Sequence, residues 1–449
     1  MVLFTIARME QRPNVIWILC DQLRAQALGH AGDPNVCTPN IDNLARDGMR
    51  FGQALSGAPW CCPFRGALLT GRYPHQNGVT ATPGRLDPAL PTVAQPFRES
   101  GYHTAYVGKW HLGGSNQMVR IPEGERGGFD YWLGYENRNA QWDTEVHGSG
   151  AEEGFRLEGY ETDALTDLFV KHLEAHLETG APEERQPFFG VLSVQPPHDP
   201  YLAPDRFHRG RNPANIRLRP NVPDVPWVRE RFTNDLCGYY AMIENLDWNV
   251  GRLRSALRRL DADRETIVIF FSDHGDCLGA HAQQQKSSPW EESIRIPFIV
   301  GRAGGGHRMK TGTTDAVLNH VDIAPTTLGL CGLDVPEWMA GHDYSAHCAH
   351  GREPDGGTEP DSAYLQQIPA KGMAHSVNRP WRAVVTRDGW KYAAQPGQDW
   401  LLFNTAEDRY EMANYVYDNV YRAKHRELRE RLEQWMVETG DEFELPPVR

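Results

Sequence analysis

The stretch Asn14–Arg24, NVIWILCDQLR, is the one on which the fold turns. Val15 to Cys20 is an unbroken apolar run rich in β-branched residues. A strand with one wet face would alternate polar and apolar residues, so this run predicts a strand covered from both sides. Such strands belong to α/β folds, whose ligands gather beyond the carboxyl ends of a mainly parallel sheet. Asp21 stands at that end, where a carboxylate is either a helix N-cap or a ligand for a hard cation.

The pattern recurs in HTAYVGKW (103–110), FFGVLSVQ (188–195) and ETIVIFFSD (265–273), with helical periodicity between, notably over 160–178 and 235–260. Lys109, His198 and Asp273 fall at or just past the ends of these strands. They lie far apart in the chain, yet a parallel sheet brings all of them, with Asp21, to one rim. TPNIDNLARDGMRF (38–51) predicts a helix with Thr38 as N-cap, Pro39 in its first turn and Gly48 as its stop. The expected fold is α/β: a large mixed, mainly parallel sheet sandwiched by helices, followed by a smaller C-terminal antiparallel sheet plus helix.

Residues 350–372 are rich in Gly, Pro and charge and predict a linker, dividing a catalytic α/β domain (1–349) from a C-terminal subdomain (373–449). In that subdomain, strands are expected over 382–394, with a turn at Asp388-Gly389, and over 400–404. A helix over roughly 420–438 gathers Leu428, Leu432, Trp435 and Met436 on one face. The segments 114–160 and 200–232 read as loops of the kind that line a cleft, with Trp132, Tyr135, Trp142, Tyr201 and Arg206 among their residues.

The chain has 449 residues, 40% of them hydrophobic, and a net charge of −13. That charge argues against nucleic acid as a partner but leaves room for a local cationic pocket. No apolar run reaches the ~18 residues of a membrane helix. The N-terminal residues lack the parts of a signal peptide, so a cytoplasmic location is expected, or a periplasmic one if a signal has been removed. The eight cysteines are dispersed without CxxC spacing, as in a reduced protein with core thiols.

Five further stretches carry chemistry. FFSDHGDCLGAH (270–281) adds Asp273 and His274 at a strand end; with Asp21 they make an oxygen-rich cation site with one imidazole. GKWHLG (108–113) presents Lys109 and His111, QPPHDPY (195–201) holds His198 in a proline-flanked turn, and QQQKSSPWEESIRIPFIV (283–300) offers Lys286. Each alone reads as an ordinary surface or core residue; beside a metal site they make a pocket for a tetrahedral oxyanion. WCCPFRGALLTGR (60–72) places Cys61 at a helix N-terminus, where unpaired N–H groups favour negative charge. Buried core thiols and a thiolate nucleophile both remain open for this pair.

Over nearly its whole length the chain resembles the type I sulfatases of the alkaline phosphatase superfamily. The resemblance is carried by NVIWILCDQLR, TPNIDNLARDGMRF, CCPFRGALLTGRYPHQNGV, YVGKWHLG, QPPHDPY, FSDHGDCLGAH, KSSPWEESIRIPFIV and VDIAPTTLGLCGL, with RAVVTRDGWKY and LFNTAEDRYEMANY towards the C-terminus. The family signature C-x-P-S/A-R aligns with Cys61-Cys62-Pro63-Phe64-Arg65, so the resemblance implies that a maturation enzyme converts Cys61 to formylglycine while Cys62 fills the variable place. Phe64 departs from the usual Ser or Ala, Gln22 from a second Asp of many members, and His274 from the Asn of some.

The resemblance also implies one divalent cation, calcium with manganese or magnesium as alternatives, held by Asp21, Gln22, Asp273, His274 and the modified residue 61. Arg65 would orient the hydrated aldehyde, and Lys109, His111, His198 and Lys286 would surround the sulfate. The activity implied is hydrolysis of a sulfate ester, expected of a carbohydrate, to an alcohol and inorganic sulfate. A phosphonate monoester or phosphodiester hydrolase on the same scaffold is the alternative. An inactive relative serving as a binding module and a metal-free cysteine hydrolase complete the set of readings.

Overall fold

The computed structural model describes residues 12–178, 185–305, 309–353, 357–370 and 376–447. The N-terminal stretch read for a signal peptide lies largely outside them, as do 354–356 and 371–372 of the expected linker. Ten strands form the large sheet: β1 (Asn14–Cys20), β2 (Met49–Phe51), β3 (His103–Lys109), β4 (Tyr131–Tyr135), β5 (Glu145–Gly148), β6 (Ala151–Arg156), β7 (Phe188–Ser193), β8 (Thr266–Ser272), β9 (Phe298–Arg302) and β10 (Gly312–Thr314). Their order is β10-β2-β9-β8-β1-β7-β3-β4-β5-β6. The stretch from β8 through β1, β7 and β3 to β4 is parallel throughout, and antiparallel strands flank it.

The unbroken apolar run of β1 is explained by the two layers that cover it. Val15, Trp17 and Leu19 pack with Phe64 and Leu68 of the helix Cys61–Thr70 and with Ile323 and Leu328. Ile16, Ile18 and Cys20 point the other way, into the helices Glu161–Leu177 and Pro226–Arg259. Trp17 meets Phe189 and Phe271 edge-on, at centroid distances of 4.9 and 5.7 Å. Each such aromatic or branched aliphatic side chain contributes roughly 1.5–3 kcal/mol by leaving water.

Three sequence expectations need correction. The helix expected within 38–51 ends at Arg46, and Met49–Phe51 is an edge-side strand instead. Thr38 precedes that helix but does not cap it: its hydroxyl donates to Asp42 and accepts from the Gly29 N–H. The loop-rich reading of 114–160 missed β4, β5 and β6, because glycines and polar residues interrupt the apolar pattern of these outer strands.

A separate four-stranded antiparallel sheet follows, β11 (Ser362–Gln367), β12 (Trp381–Thr386), β13 (Trp390–Gln395) and β14 (Gln398–Asn404), in sequential order. β11 lies inside the stretch expected to be a linker; its buried side chains pair with β12 despite polar neighbours in sequence. The helix Arg422–Thr439 covers this sheet with Leu428, Leu432 and Met436. Among the described residues no helix is long and apolar enough to cross a membrane.

A buried ionic knot joins the sheets. Lys391 on β13 is paired with Glu411 and with Glu291, the latter at 3.1 Å, and donates to the Pro289 carbonyl at 2.7 Å. Removing one partner of such a knot strands the others in low dielectric. Lys391→Ala is therefore expected to destabilise the protein by about 3–5 kcal/mol, read as a fall in the thermal unfolding midpoint against wild type.

Candidate active site

β8, β1, β7 and β3 are consecutive neighbours in the sheet, and their carboxyl ends deliver Asp273, Asp21, His198 and Lys109 to one rim. The helix Cys61–Thr70 points its first residue at the same place, with Trp60 as the extended residue before it. Cys61 Sγ lies 3.2 Å from His274 Nε2 and 3.7 Å from Asp21 Oδ1. Donor atoms of Asp21, Cys61, Asp273 and His274 all fall within 4.8 Å of one another, and all four residues are buried. His274 Nδ1 contacts the Gly275 carbonyl at 3.0 Å, which leaves Nε2 facing this cluster.

Cations frame the carboxylates. Lys109 Nζ is 2.8 Å from Asp21 Oδ2, and Arg65 Nη2 lies 3.4 Å from Asp21 and 3.5 Å from Asp273. Arg65 is fixed from behind by Nη1 bonds to the Lys109 carbonyl at 2.9 Å and to Ser193 Oγ at 2.8 Å. Lys286 Nζ is 2.7 Å from His198 Nε2 and also donates to Gln22 Oε1. His111 faces Cys61, and neither of its ring nitrogens has a well-aligned hydrogen-bond partner among the described residues. All ten residues expected at the site thus converge.

Gln22 converges in a particular way. Its oxygen receives Lys286, and its Nε2 donates to Asp276 at 2.6 Å and Asp199 at 3.2 Å, so the amide reaches across the site towards Lys286. Asp276, Asp199 and Ser193 are the members that sequence reasoning did not single out, and Tyr201 entered it only as a residue of a cleft-lining segment. Asp276 sits within the quoted SDHGD stretch and Asp199 and Tyr201 within QPPHDPY, so polarity beside a turn was their available signal. Ser193, inside a buried strand, carried none.

Local backbone strain concentrates here. Gln22 and His111 adopt φ of 73° and 57°, and Gln285 and Ser287, on either side of Lys286, adopt 59° and 75°. Positive φ in such side chains is costly and persists only where neighbours over-determine it. The small sheet does so for Lys286: Trp381 Nε1 donates to the Ser287 carbonyl at 3.0 Å, and Ser376 bonds the Lys286 carbonyl.

The electrostatics suit an anion and a cation at once. Burial opposes a Cys61 thiolate, but Lys286, His274 and Lys109 overcome it and hold the thiol well below its ordinary range. Burial and Cys61 likewise oppose the Asp21 carboxylate, and Lys109, His198 and His274 still hold it low. Burial and Asp21 push Asp273 up, and Asp273 Oδ2 has no well-formed hydrogen bond. Burial, then Lys109, pushes His111 down to about 4, so its imidazole is neutral at pH 7.

Two crowded buried carboxylates, one with an under-satisfied oxygen, beside an imidazole nitrogen and a fourth donor make a set that fits a hard divalent cation. Asp21, Asp273, Asp199 and Asp276 outnumber Arg65, Lys109 and Lys286 by one charge. A divalent cation would offset this excess of negative charge.

A cysteine at a helix N-terminus, beside a donor set that could hold a cation and ringed by lysine, arginine and histidine, is an arrangement suited to hydrolysis of anionic tetrahedral esters. A family model described as Sulfatase matches residues 13–333, and one described as N-sulphoglucosamine sulphohydrolase, C-terminal, matches residues 279–438. The chain is 34% identical over 443 residues to an ulvan-active sulfatase of Formosa agariphila, covering 96% of this chain and 82% of that one. It is 27% identical over 505 aligned positions to an endo-4-O-sulfatase of Bacteroides thetaiotaomicron, covering 96% and 95%. A solved structure concerned with metabolism of multiple glycosaminoglycans by Bacteroides thetaiotaomicron superposes with a TM-score of 0.82 at 25% identity, covering 96% and 97%. The chain belongs to the sulfatase family, and it is a sulfuric ester hydrolase.

Phe64, the departure from the family signature, is fully buried and stacks on His320 at a centroid distance of 5.6 Å. It anchors the first turn of the helix that carries Cys61 and Arg65. Phe64→Ala is expected to cost about 3–5 kcal/mol, seen as a lowered melting temperature. A melting temperature equal to wild type would show that this anchor is dispensable.

Proposed function

We propose that this sulfatase acts on a sulfate ester of a carbohydrate, with Cys61 converted to formylglycine by a maturation enzyme. The observation that carries the reading is the gathering of Asp21, Asp273 and His274 around residue 61 at a helix N-terminus. The carbohydrate class is supported by the ulvan-active and endo-4-O-sulfatase relatives. Asp21, Asp273, His274 and residue 61 would hold one divalent cation, for which the oxygen-rich donor set favours calcium. When bound, the cation supplies Lewis-acid stabilisation of negative charge. Gln22, engaged with Lys286, positions that lysine in this reading.

The aldehyde, once hydrated, would supply one hydroxyl that loses its proton to solvent as its oxygen bonds sulfur, and a second whose loss of a proton later expels sulfate. The protein's own groups do the rest. Arg65 holds the residue-61 side of the site through Asp21 and Asp273. Lys109 and Lys286 offset charge on the equatorial sulfuryl oxygens as the S–O bond to the leaving alcohol lengthens. His198 gives that alcohol its proton, and Lys286, 2.7 Å from His198 Nε2, resupplies it. His111, neutral and facing residue 61, accepts the proton of the second hydroxyl, so the ester bond to sulfate breaks and the aldehyde returns.

Rates on an aryl sulfate and on phenyl phosphonate, measured side by side, test the reaction class; sulfate turnover is expected to dominate, and a strong phosphonate preference would overturn the reading. Cys61→Ala is expected to lower sulfate hydrolysis by at least about a thousandfold in protein that still melts cooperatively. Dialysis against a chelator should abolish hydrolysis and calcium should restore it. Activity that survives exhaustive chelation would point instead to a metal-free cysteine hydrolase.

A further inference from the structure

A cleft of about 790 Å3 opens between the loops beyond β1 and the turns of the small sheet. None of the residues gathered around Cys61 lines it. Its walls carry Arg217, Arg219, Arg295, Arg387 and Arg409 against Asp33, Glu291 and Asp388, a local reversal of sign in a chain of net charge −13. Arg219, Arg295 and Arg387 are paired with carboxylates. Arg217 and Arg409, both exposed, form no ion pair among the described residues; the Arg409 guanidinium donates to the Tyr410 hydroxyl at 2.6 Å.

Two further features point to a ligand. Arg295 is only 8% exposed; its Nε is bonded to Glu291 at 2.7 Å, but its Nη1 is buried with no hydrogen-bond partner among the described residues. Gln26 Oε1, on the same wall, is likewise buried without a donor. Buried polar atoms left unpaired are costly, and here one donor and one acceptor belong to residues that line the same cleft. Tyr410 also lies between two cations, with the Arg219 and Arg409 guanidinium carbons 5.0 and 4.7 Å from its ring centroid. Forked cationic donors, an unmet carbonyl acceptor and a phenol make a surface for anionic oxygens interleaved with hydroxyls.

We infer that this cleft is an exosite for a sulfated polysaccharide chain. Arg217, Arg295 and Arg409 take its sulfate groups, and Gln26 and Tyr410 take sugar hydroxyls. The inference rests on the carbohydrate-sulfate reading above and extends it from a single ester to a polymer held at a second place. The cleft abuts the catalytic rim through Glu291 and Arg295, since the Gly275 N–H beside His274 bonds the Ser293 carbonyl at 2.8 Å. A chain held there is kept near the catalytic residue between turnovers.

The test is affinity electrophoresis of the whole protein through gels containing dextran sulfate or neutral dextran. Three proteins are compared: wild type, the double variant Arg217→Ala/Arg409→Ala, and a control double variant, Arg46→Ala/Arg98→Ala, that removes two exposed arginines elsewhere. Dextran sulfate is expected to retard wild type and the control, and to bind the cleft variant about fivefold or more weakly; neutral dextran should retard none. Turnover of 4-nitrophenyl sulfate by the cleft variant should stay within about twofold of wild type, because the cleft is not part of the catalytic centre. Equal retardation of wild type and the cleft variant, equal loss in the control, or no retardation of wild type would each overturn the exosite. Failure of every protein to hydrolyse any sulfate ester would sink the functional reading, while the gel still judges the cleft.

Discussion

Asp21 is a fully buried carboxylate, and its burial organises the site. A charge removed from water survives only if it is compensated at short range, because its desolvation costs several kcal/mol. Lys109 at 2.8 Å and Arg65 at 3.4 Å provide that compensation. Those two residues come from β3 and from the helix that begins at Cys61, so satisfying one carboxylate on β1 fixes three elements relative to one another. Asp273, delivered by the neighbouring β8, adds a second buried carboxylate that these cations satisfy less fully. The remaining demand for positive charge is one that a divalent cation could meet, and Cys61 lies against that cluster.

The small sheet is part of this arrangement. Lys286 sits between two residues of positive φ, a backbone path that would relax if left alone. Trp381 and Ser376 hold the carbonyls of Ser287 and Lys286, and Lys391 on β13 grips Pro289 and Glu291 a few residues on. The segment that brings the Lys286 ammonium to His198 and Gln22 is therefore shaped from outside the large sheet. This explains how a sheet with no residue in the catalytic cluster can still determine catalytic geometry.

The positions of Asp21, Lys109, His198 and Asp273 were legible because each stands at or just past the end of an apolar strand, and neighbouring parallel strands end on one side. Residues whose role depends on close approach across distant segments were not. Ser193 reads as a plain strand serine until its hydroxyl is seen bridging Arg65 and the Lys109 carbonyl. Gln22 follows Asp21 in sequence and so invites a shared role, but a φ of 73° swings its amide to Lys286 and Asp276. Local polarity hid β11 in a supposed linker and β4 and β5 in supposed loops, because their burial comes from tertiary partners. Phe64 departs from the family signature, and its packing on His320 shows what an aromatic residue does there.

In the proposed mechanism residue 61 works as an aldehyde rather than as the encoded thiol. Mass spectrometry of the peptide spanning Cys61, from protein produced in a host that makes formylglycine, addresses it directly. The expected peptide is one in which the CH2SH side chain has become CHO, with a fraction converted that rises in step with specific activity across preparations. A fully active preparation in which Cys61 is an intact thiol would contradict it.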